Sequence, residues 1–327
     1  MTAAGVSEAP LVSIVIPCYN QAHFLPEAIE SGLSQTHHRT EIVVVDDGSR
    51  DNTAAVVARH PGVEHVRQEN RGLAGARNTG FQASSGEYVL FLDADDRLTP
   101  NAAEAHLSCF AQHPEAGFVV GDIDHISLDG SFAGSPRWPV LEANHYEQLL
   151  KVNHVANTIA VMFRRSVIER VGGFKPFCSP AEDYELLLHA ARLFPSAHHR
   201  TVVAHYRRHR ETLSRNGALM LRAMHRVMRM ERPALSGDSR LTKSWREGER
   251  YWRDYFGVAT IKQLYGHVRR GELWRAGSAT VALVRYGRGR LFVLPWICGQ
   301  RGVNYLRRRL GRRRKDDNRA ASTVVSR

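Results

Sequence analysis

The sequence has few cysteines and no long hydrophobic run, and each absence excludes a class of protein. The four cysteines, Cys18, Cys109, Cys178 and Cys298, show no CxxC or Cys/His spacing, so neither a disulfide framework nor a zinc site is predicted. The apolar run "LFVLPWIC" at 291–298 is too short to span a bilayer, and "MTAAGVSEAP" lacks the basic and apolar regions of a signal peptide. We therefore expect a cytoplasmic protein without a transmembrane helix.

Acidic residues are scarce in the C-terminal part of the chain. Residues 201–327 contain 30 Lys and Arg against 9 Asp and Glu, whereas residues 1–200 contain 15 against 24. Such an uneven charge suggests two roles on one chain. The predicted organisation is a flexible N-terminus at 1–10, a main domain at 11–216, a helical basic extension at 217–315 and a disordered tail at 316–327.

The first hundred residues alternate between strand and helix patterns. "VSIVIP" (12–17), "EIVVVD" (41–46) and "EYVLFL" (87–92) are continuous apolar runs of the kind found in strands buried on both faces of a parallel sheet. Helical stretches separate them, at about 23–35, 51–60 and 73–84, with a short strand near 63–67. The series predicts an α/β fold with a doubly wound, mostly parallel sheet and right-handed crossovers.

Ligands of such sheets bind outside the carboxyl ends of the strands, and here those ends carry "PCYN", "DDGS" and "DADD". The last of these places Asp93, Asp95 and Asp96 together. Like charges at this spacing repel and raise each other's pKa, so the cluster is costly unless something positive binds there. Oxygen ligands suit Mg²⁺ and Mn²⁺, which proteins often hold through one or two carboxylates plus substrate phosphates. We therefore expect a divalent cation, Mn²⁺ or Mg²⁺.

Six motifs in order resemble those of family 2 glycosyltransferases of the GT-A fold. They are "VSIVIPCYN", "VVVDDGSRDNT", "NRGLAGARNTGFQASSGEYVLFLDADD", "FRRSVIERVGGF", "AEDYELLLHAA" and "YRRHRETLS". The resemblance covers residues 11–216 and leaves the basic extension outside it. It implies transfer of a sugar from a nucleotide-diphosphate sugar to an acceptor hydroxyl, as in the synthesis of cell-surface polysaccharides or glycolipids.

The resemblance also implies which residues hold the donor. Pro17, Tyr19 and Asp47 would line the nucleoside pocket, with Asp47 reading the base edge. Arg77 in "GARN" would reach the nucleotide, and Asp93 would contact the ribose. The family pattern does not select among uridine, guanosine and thymidine diphosphates, since each offers an edge that Asp47 could accept from.

Further positions would hold the diphosphate and its cation. Asp95, with Asp96 as its neighbour, would hold the metal. The segment "YRRHRETLS" would close on the diphosphate through an arginine, Arg207 or the residue after it, together with His209 and Ser214. His209 would either join the metal shell or contact the diphosphate, and the sequence leaves both roles open.

The "ED" pair supplies the implied base. Asp183 would deprotonate the acceptor hydroxyl, and Glu182 would orient the loop or the acceptor. Ser179 as N-cap and Pro180 in the first helical position predict a capping box with Glu182, which would place both acids in a first turn that favours their charged forms. One base opposite a bound diphosphate predicts a single displacement that inverts configuration. The run "ELLLHAA" replaces a tryptophan-containing run of many members, so acceptor identity does not transfer.

The basic extension suits an anionic surface. No nucleic-acid-binding module is visible, so nucleic acid is not the expected partner. An apolar wedge between basic clusters favours peripheral attachment to the inner face of the cell membrane, with a saccharide or lipid-linked acceptor. Packing of these helices on the main domain is the other interpretation. Two other functions stay open: an inactive GT-A-fold binding or scaffold protein, and a metal-dependent nucleotidyltransferase.

Overall fold

The computed structural model describes residues 9–140, 145–155, 157–208 and 216–287. Of these, the residues before 216 form one compact unit together with those from Ala223 to Trp252. Asn216–Arg222 and the residues from Arg253 onward form a second unit. The predicted wedge at 291–298 and the predicted tail at 316–327 lie outside the described residues.

Nine strands in the described part of the first unit form one sheet. They are β1 Val12–Cys18, β2 Thr40–Asp46, β3 Val63–Arg67, β4 Tyr88–Phe91, β5 Arg97–Leu98, β6 Phe118–Ile126, β7 Phe132–Gly134, β8 Val161–Arg164 and β9 Ser196–Arg207. The order across the sheet is β3, β2, β1, β4, β8, β6, β9, β5, and β7 pairs with β6. The apolar runs predicted as buried strands are β1, β2 and β4, and β1 is buried along its whole length.

The sheet is parallel from β3 to β4 and mixed beyond it. β2 pairs in parallel with β1 and β3, and β4 with β1, as the alternation of the sequence predicts. β8 runs antiparallel to both β4 and β6, β9 runs parallel to β6, and β5 runs antiparallel to β9. A short strand such as β8, which has three apolar residues followed by an arginine, does not reveal its direction, so sequence alone could not predict the mixed half.

Ten α-helices are present in the described residues. They are α1 Leu25–Leu33, α2 Thr53–Val57, α3 Gly72–Ala83, α4 Ala102–Gln112, α5 His145–Lys151, α6 Arg165–Val171, α7 Glu182–Leu193, α8 Gly217–Glu231, α9 Ser239–Arg269 and α10 Leu273–Tyr286. The predicted helices at 23–35 and 73–84 agree with α1 and α3, whereas the one at 51–60 is only the single short turn of α2.

Helix α3 lies unusually close to the sheet. A Cβ atom added to Gly80 would overlap the side chain of Val15 and would lie 2.9 Å from Cγ2 of Val45. Because only a hydrogen fits there, the backbone of α3 rests directly on β1 and β2. This close approach fixes the height of the whole helix above the sheet, including the arginine and asparagine of its "GARN" motif.

The tryptophans of the basic extension do not share one environment. Within the first unit, the indole nitrogen of Trp245 donates to the carbonyl of Met228 at 2.6 Å, and that of Trp252 donates to the hydroxyl of Tyr184 at 3.3 Å. In the second unit, Trp274 is 89% exposed. Over the part of the chain that the structure describes, no helix combines the length and apolar character needed to cross a bilayer.

Candidate active site

The carboxyl ends of β1, β2 and β4 meet at one edge of the sheet. Cys18 at the end of β1 is in register with Asp46 at the end of β2, and the amide of Asp47 donates to the carbonyl of Cys18 at 2.9 Å. The chain leaving β4 stays beside β1, since the amide of Leu92 donates to the carbonyl of Val15 at 2.9 Å. The three strand-end motifs therefore lie next to one another.

The first two strand ends form a loop cradle with one exposed aromatic ring. Tyr19 is 47% exposed, whereas Pro17 is buried within β1. Asp47 is buried and accepts hydrogen bonds from the side-chain amide of Gln68 at 2.6 Å and from the backbone amide of Arg71 at 2.8 Å. Asp47 is thus held in place by two donors, and the ring of Tyr19 is accessible for stacking on a ligand.

Asp46 stabilises the loop itself. Its Oδ1 accepts from the backbone amide of Ser49 at 2.7 Å, which closes the turn "DDGS". Gly48 within this turn has φ of +77°, and a Cβ there would lie 3.1 Å from the backbone nitrogen of Asn70. The turn therefore requires glycine at this position.

The acidic turn after β4 is only partly open to solvent. Asp93 and Asp95 are half-buried, and Asp96 is buried. Oδ1 of Asp96 accepts from the backbone amide of Arg207 at 2.6 Å, while Oδ2 has no hydrogen-bond partner. Burial, and then the neighbouring Asp95 and Asp93, raise the pKa of Asp96 well above its usual value.

One buried arginine links this acidic turn to α7. The guanidinium of Arg77 donates from Nη2 to Oδ1 of Asp93 at 2.7 Å and from Nη1 to Oε1 of Glu182 at 3.3 Å. Its Cζ lies 5.2 Å from the centre of the ring of Phe174. Arg77 was expected at the nucleotide, and its immediate partners are instead two carboxylates of the site itself.

Helix α7 begins at Glu182, so both members of the "ED" pair lie in its first turn. The predicted capping box is wrong: Ala181 is the residue before the helix, and no side chain caps it. Ser179 instead ends the preceding short 3₁₀ turn. The carboxylate of Glu182 pairs with Arg77 rather than with the backbone before the helix. Leu187, from the run that departs from the family pattern, is fully buried in the core.

Asp183 is half-buried and its carboxyl is perturbed. Its Oδ1 accepts from the backbone amide of Tyr184 at 2.7 Å. Burial raises the pKa of Asp183 to about 6, Glu182 and Asp93 add to the rise, and Arg77 opposes it. Desolvation thus outweighs the preference of a helix first turn for the charged form. A carboxyl with a pKa near 6 is still mostly ionised at neutral pH and is a stronger base than a surface aspartate.

Arg207 is fully buried at the end of β9 and holds the acidic turn from behind. Its Nε donates to the carbonyl of Asp95 at 2.7 Å, and its Nη2 donates to Oε2 of Glu27 at 2.7 Å. Its Nη1 donates to the carbonyl of Leu128 at 2.8 Å. The guanidinium therefore fixes the turn that carries Asp95. The other two residues predicted from this segment, His209 and Ser214, lie outside the described residues.

Sequence reasoning missed one organising residue, Asn78. Its Nδ2 donates to the carbonyl of Phe174 at 2.8 Å, and its Oδ1 accepts from the amide of Phe174 at 2.8 Å. The preceding Gly173 has φ of +68°, and a Cβ there would lie 2.6 Å from Oδ1 of Asn78. The sequence signal for this contact was the asparagine that follows the arginine in "GARN", together with the paired glycines of "GGF" later in the chain.

The carboxylates do not form a closed metal cage. Over residues 9–140, 145–155, 157–208 and 216–287, no three His, Cys, Asp or Glu side chains converge as a preformed metal site. Asp95 and Asp96 are adjacent, and Oδ2 of Asp96, which has no hydrogen-bond partner, is an oxygen that could bind a metal ion. Such a pair suits a hard divalent cation that takes its other ligands from a phosphate group.

Residues 13–172 match the family model described as glycosyl transferase family 2. Chondroitin synthase of Escherichia coli is 30% identical over 200 residues, which are 60% of this chain and 28% of that protein. An uncharacterized glycosyltransferase of Nostoc sp. is 34% identical over 178 residues, which are 50% of this chain and 54% of that protein. This chain thus spans 28% to 54% of the length of these relatives.

Solved structures share the fold. The crystal structure of S. aureus TarS 1-349 in complex with UDP superposes with a TM-score of 0.58 at 17% identity, over 76% of this chain and 72% of that one. The mannosyltransferase PcManGT from Pyrobaculum calidifontis, in complex with GDP-Man and Mn²⁺, superposes with a TM-score of 0.57 at 18% identity, over 91% of this chain and 84% of that one. These similarities confirm the predicted GT-A fold class.

Proposed function

We propose that this chain, whose residues 13–172 belong to glycosyl transferase family 2, is an inverting glycosyltransferase. It moves a sugar from a nucleotide-diphosphate sugar to a hydroxyl of a saccharide or lipid-linked acceptor, in the synthesis of a cell-surface polysaccharide or glycolipid. The observation that carries the proposal is Asp183, a half-buried carboxyl with a raised pKa in the first turn of α7. Arg77 joins its neighbour Glu182 to Asp93 in the acidic turn after β4.

The first two strand ends would bind the nucleoside. The exposed ring of Tyr19 offers a stacking surface for a base, with Pro17 behind it in β1. Asp47, held by Gln68 and Arg71, offers a fixed acceptor for the base edge, and Asp93 offers one for a ribose hydroxyl. Structures of this fold bind UDP and GDP-Man, which supports a nucleoside diphosphate donor here.

A divalent cation, Mn²⁺ or Mg²⁺, fits at Asp95 and Asp96. Asp96 Oδ2 is buried without a hydrogen-bond partner beside two other aspartates, so the turn has an excess of negative charge. A bound cation would neutralise this charge and that of the leaving diphosphate. The Mn²⁺ in the complex of PcManGT, which shares the fold, supports the same assignment.

The transfer requires one base and one displacement. Asp183 takes the proton of the acceptor hydroxyl as its oxygen attacks the anomeric carbon, and the bond from that carbon to the donor phosphate oxygen breaks. Glu182 is already paired with Arg77, so it takes no proton and instead orients the first turn of α7. Because attack and departure occur on opposite faces, the configuration inverts.

A screen of nucleotide sugars tests the proposal. Donor hydrolysis and thermal shift would be measured on UDP-, GDP- and dTDP-sugars, with and without Mn²⁺, on the wild type and Asp183→Asn. We expect one nucleotide class to stabilise both proteins in the presence of Mn²⁺ and only the wild type to turn the donor over. Binding without any turnover by the wild type would instead favour an inactive scaffold, and wild-type turnover by Asp183→Asn would exclude the base assignment.

We further infer that the second unit binds an anionic membrane surface. Over residues 216–222 and 253–287 it has seven Lys and Arg against two Asp and Glu. Its helix α10 exposes an apolar face made of Leu273, Trp274, Val281 and Val284, which are 56% to 89% exposed. Burying such a face in lipid is favourable, and the adjacent arginines would meet anionic headgroups.

Flotation with vesicles tests this inference. The full chain should float with vesicles of equal parts phosphatidylglycerol and phosphatidylcholine at low salt, and not with phosphatidylcholine alone. Replacing both Leu273 and Trp274 by serine should abolish flotation. Phe132→Ser removes another exposed ring, 68% exposed, from the first unit and should leave flotation unchanged. Equal flotation of the double variant and the wild type would refute a role for α10.

A further inference from the structure

Arg77 is a buried cation shared between two chain segments that are far apart in sequence. It is only 2% exposed, and its two terminal nitrogens contact different carboxylates, one after β4 and one at the start of α7. Its Nε has no hydrogen-bond partner. Burying a charge is costly unless it is paired, so the two carboxylate contacts are what stabilises this guanidinium in the protein interior, even though its Nε makes no hydrogen bond.

The helix that carries Arg77 cannot easily move. Gly80, one turn further along α3, rests against Val15 and Val45 with no room for a Cβ. The next residue after Arg77, Asn78, fastens the backbone of Phe174 with two hydrogen bonds of 2.8 Å, and the ring of Phe174 lies under the guanidinium. Arg77 therefore extends from a fixed support, and α7 begins only eight residues after Phe174.

We propose that Arg77 is a positioning residue for the transfer reaction: its fork, held between Asp93 and Glu182, fixes the first turn of α7, and with it Asp183, relative to the end of β4. This inference rests on the proposed role of Asp183 as the base. It goes beyond that role because Arg77 would align Asp183 with the acidic turn after β4, where the donor binds, rather than contact the nucleotide itself.

The shape of the guanidinium matters as well as its charge. Nη1 and Nη2 each serve one carboxylate, so two donors in a rigid plane set the spacing of Asp93 from Glu182. A lysine ammonium is a single point of charge on a flexible stem and cannot hold both carboxylates in the same way. Arg77→Lys should therefore keep the charge and lose the alignment.

The charge of Arg77 also acts on the base. The groups that face Asp183 are Glu182 on α7, Asp93 after β4, Tyr206 on β9 and Arg77 on α3. Arg77 is the cation of this set, and it opposes the rise in the pKa of Asp183 that burial and the two acids cause. Without it, the carboxyl should hold its proton to a higher pH.

Two measurements that need no substrate test the proposal. Hydrogen exchange would be followed on peptides covering residues 176–190 in the wild type, Arg77→Lys and Arg77→Met. The carboxyl titration of Asp183 would be followed by ¹³C NMR, with its resonance assigned from Asp183→Asn. If Arg77→Met does not fold, the same measurements would be made on the double variant Arg77→Met, Glu182→Gln, in which one of the two carboxylates left without a cation is neutral.

Arg165 supplies a matched control. Its guanidinium is likewise stacked on an aromatic ring, Phe81 at 4.6 Å, and donates to the carbonyl of Gly86 at 2.6 Å and to the hydroxyl of Ser84 at 2.8 Å. Arg165→Met thus removes a partly buried, ring-stacked guanidinium without touching the "ED" pair. It should leave both the exchange of residues 176–190 and the titration of Asp183 unchanged.

We expect both Arg77 variants to exchange the first turn of α7 about tenfold faster. The titration of Asp183 should move up by about one pH unit in Arg77→Met and by much less in Arg77→Lys. Exchange and titration unchanged in Arg77→Met would overturn the proposal. So would loss of UDP or GDP binding in Arg77→Lys, measured by calorimetry with Mn²⁺, while α7 exchanged as in the wild type, since Arg77 would then be a nucleotide ligand.

Turnover separates this proposal from the one on which it rests. If the wild type hydrolyses UDP-N-acetylglucosamine or GDP-mannose, Arg77→Lys should lower kcat about 100-fold and change KM for the donor by less than about threefold. If the wild type turns over no donor at all, the proposed function fails, while hydrogen exchange and titration still decide whether Arg77 fixes α7.

Discussion

The pKa of Asp183 predicts the pH dependence of the enzyme. Transfer needs the ionised carboxylate, so kcat/KM should fall as pH falls through about 6. About nine-tenths of a group with this pKa is ionised at pH 7 and about one-tenth at pH 5, so the rate at pH 5 should be about tenfold below its plateau. A surface aspartate would be more than about nine-tenths ionised at pH 5 and would cause almost no loss.

The same shift has a consequence for stability, with the opposite pH trend. The folded state binds the proton of Asp183 more tightly than the unfolded chain, whose pKa is 3.8, so this residue costs increasing stability as pH rises from 3.8 to about 6. A rise of about two units corresponds to at most about 3 kcal/mol. Asp183→Asn should therefore be more stable than the wild type at neutral pH by up to this amount, and the difference should vanish near pH 4.

Two assays measure these effects on the same preparations. Initial rates of donor hydrolysis at low donor concentration, from pH 4.5 to 8, give the acid limb, and urea unfolding at pH 7.5 and 4.5 gives the stability difference. Asp129→Asn is the matched control, because its carboxylate lies in an exposed loop and bonds only Ser131 among the described contacts. An acid limb near pH 4, or an Asp183→Asn protein less stable than the wild type at pH 7.5, would refute the assignment.

Three further outcomes are expected. Gly80→Ala should lower the free energy of unfolding by about 1–3 kcal/mol in urea denaturation, because its Cβ overlaps the sheet, whereas Gly277→Ala, with nothing within 4 Å, should not. Asp95→Asn should reduce the rise in melting temperature that Mn²⁺ with UDP or GDP produces, and Asp129→Asn should not. Burial lowers the pKa of His199 to about 4, so stability should fall as pH drops from 6.5 towards 4, and His199→Gln should flatten that fall in acid unfolding curves.

The sequence predicted the strands that carry the site, because buried parallel strands are long apolar runs with chemistry at their ends. It did not predict the direction of β8, since a run of three apolar residues is compatible with either direction. It placed Glu182 and Asp183 in a first turn correctly but chose the wrong cap, because Ser179 and Pro180 satisfy the local pattern while the carboxylate of Glu182 is committed elsewhere.

The partners of Arg77 and Arg207 could not be predicted from the sequence for a related reason. Arg77 pairs with a carboxylate 105 residues away, and Arg207 with one 180 residues away, and no local pattern encodes such contacts. Motif resemblance suggested that both guanidiniums face the ligand, since arginines near a diphosphate site are usually donors to it. In the structure both arginines are at most 2% exposed, and the hydrogen bonds of their side chains go to carboxylates and carbonyls of the protein.

The charge balance at the strand ends follows from these two arginines. Asp93, Asp95, Asp96, Glu182 and Asp183 gather at one edge, and Arg77 directly pairs only the first and fourth of them. Arg207 supports the turn by its backbone amide and Nε, but its Nη2 neutralises Glu27 instead. Burial first, and then the neighbouring acids, raise the pKa of both Asp96 and Asp183. A cation at Asp95 and Asp96 would lower the first of these, so Mn²⁺ binding should release protons, and calorimetry in buffers of different ionisation enthalpy would detect them.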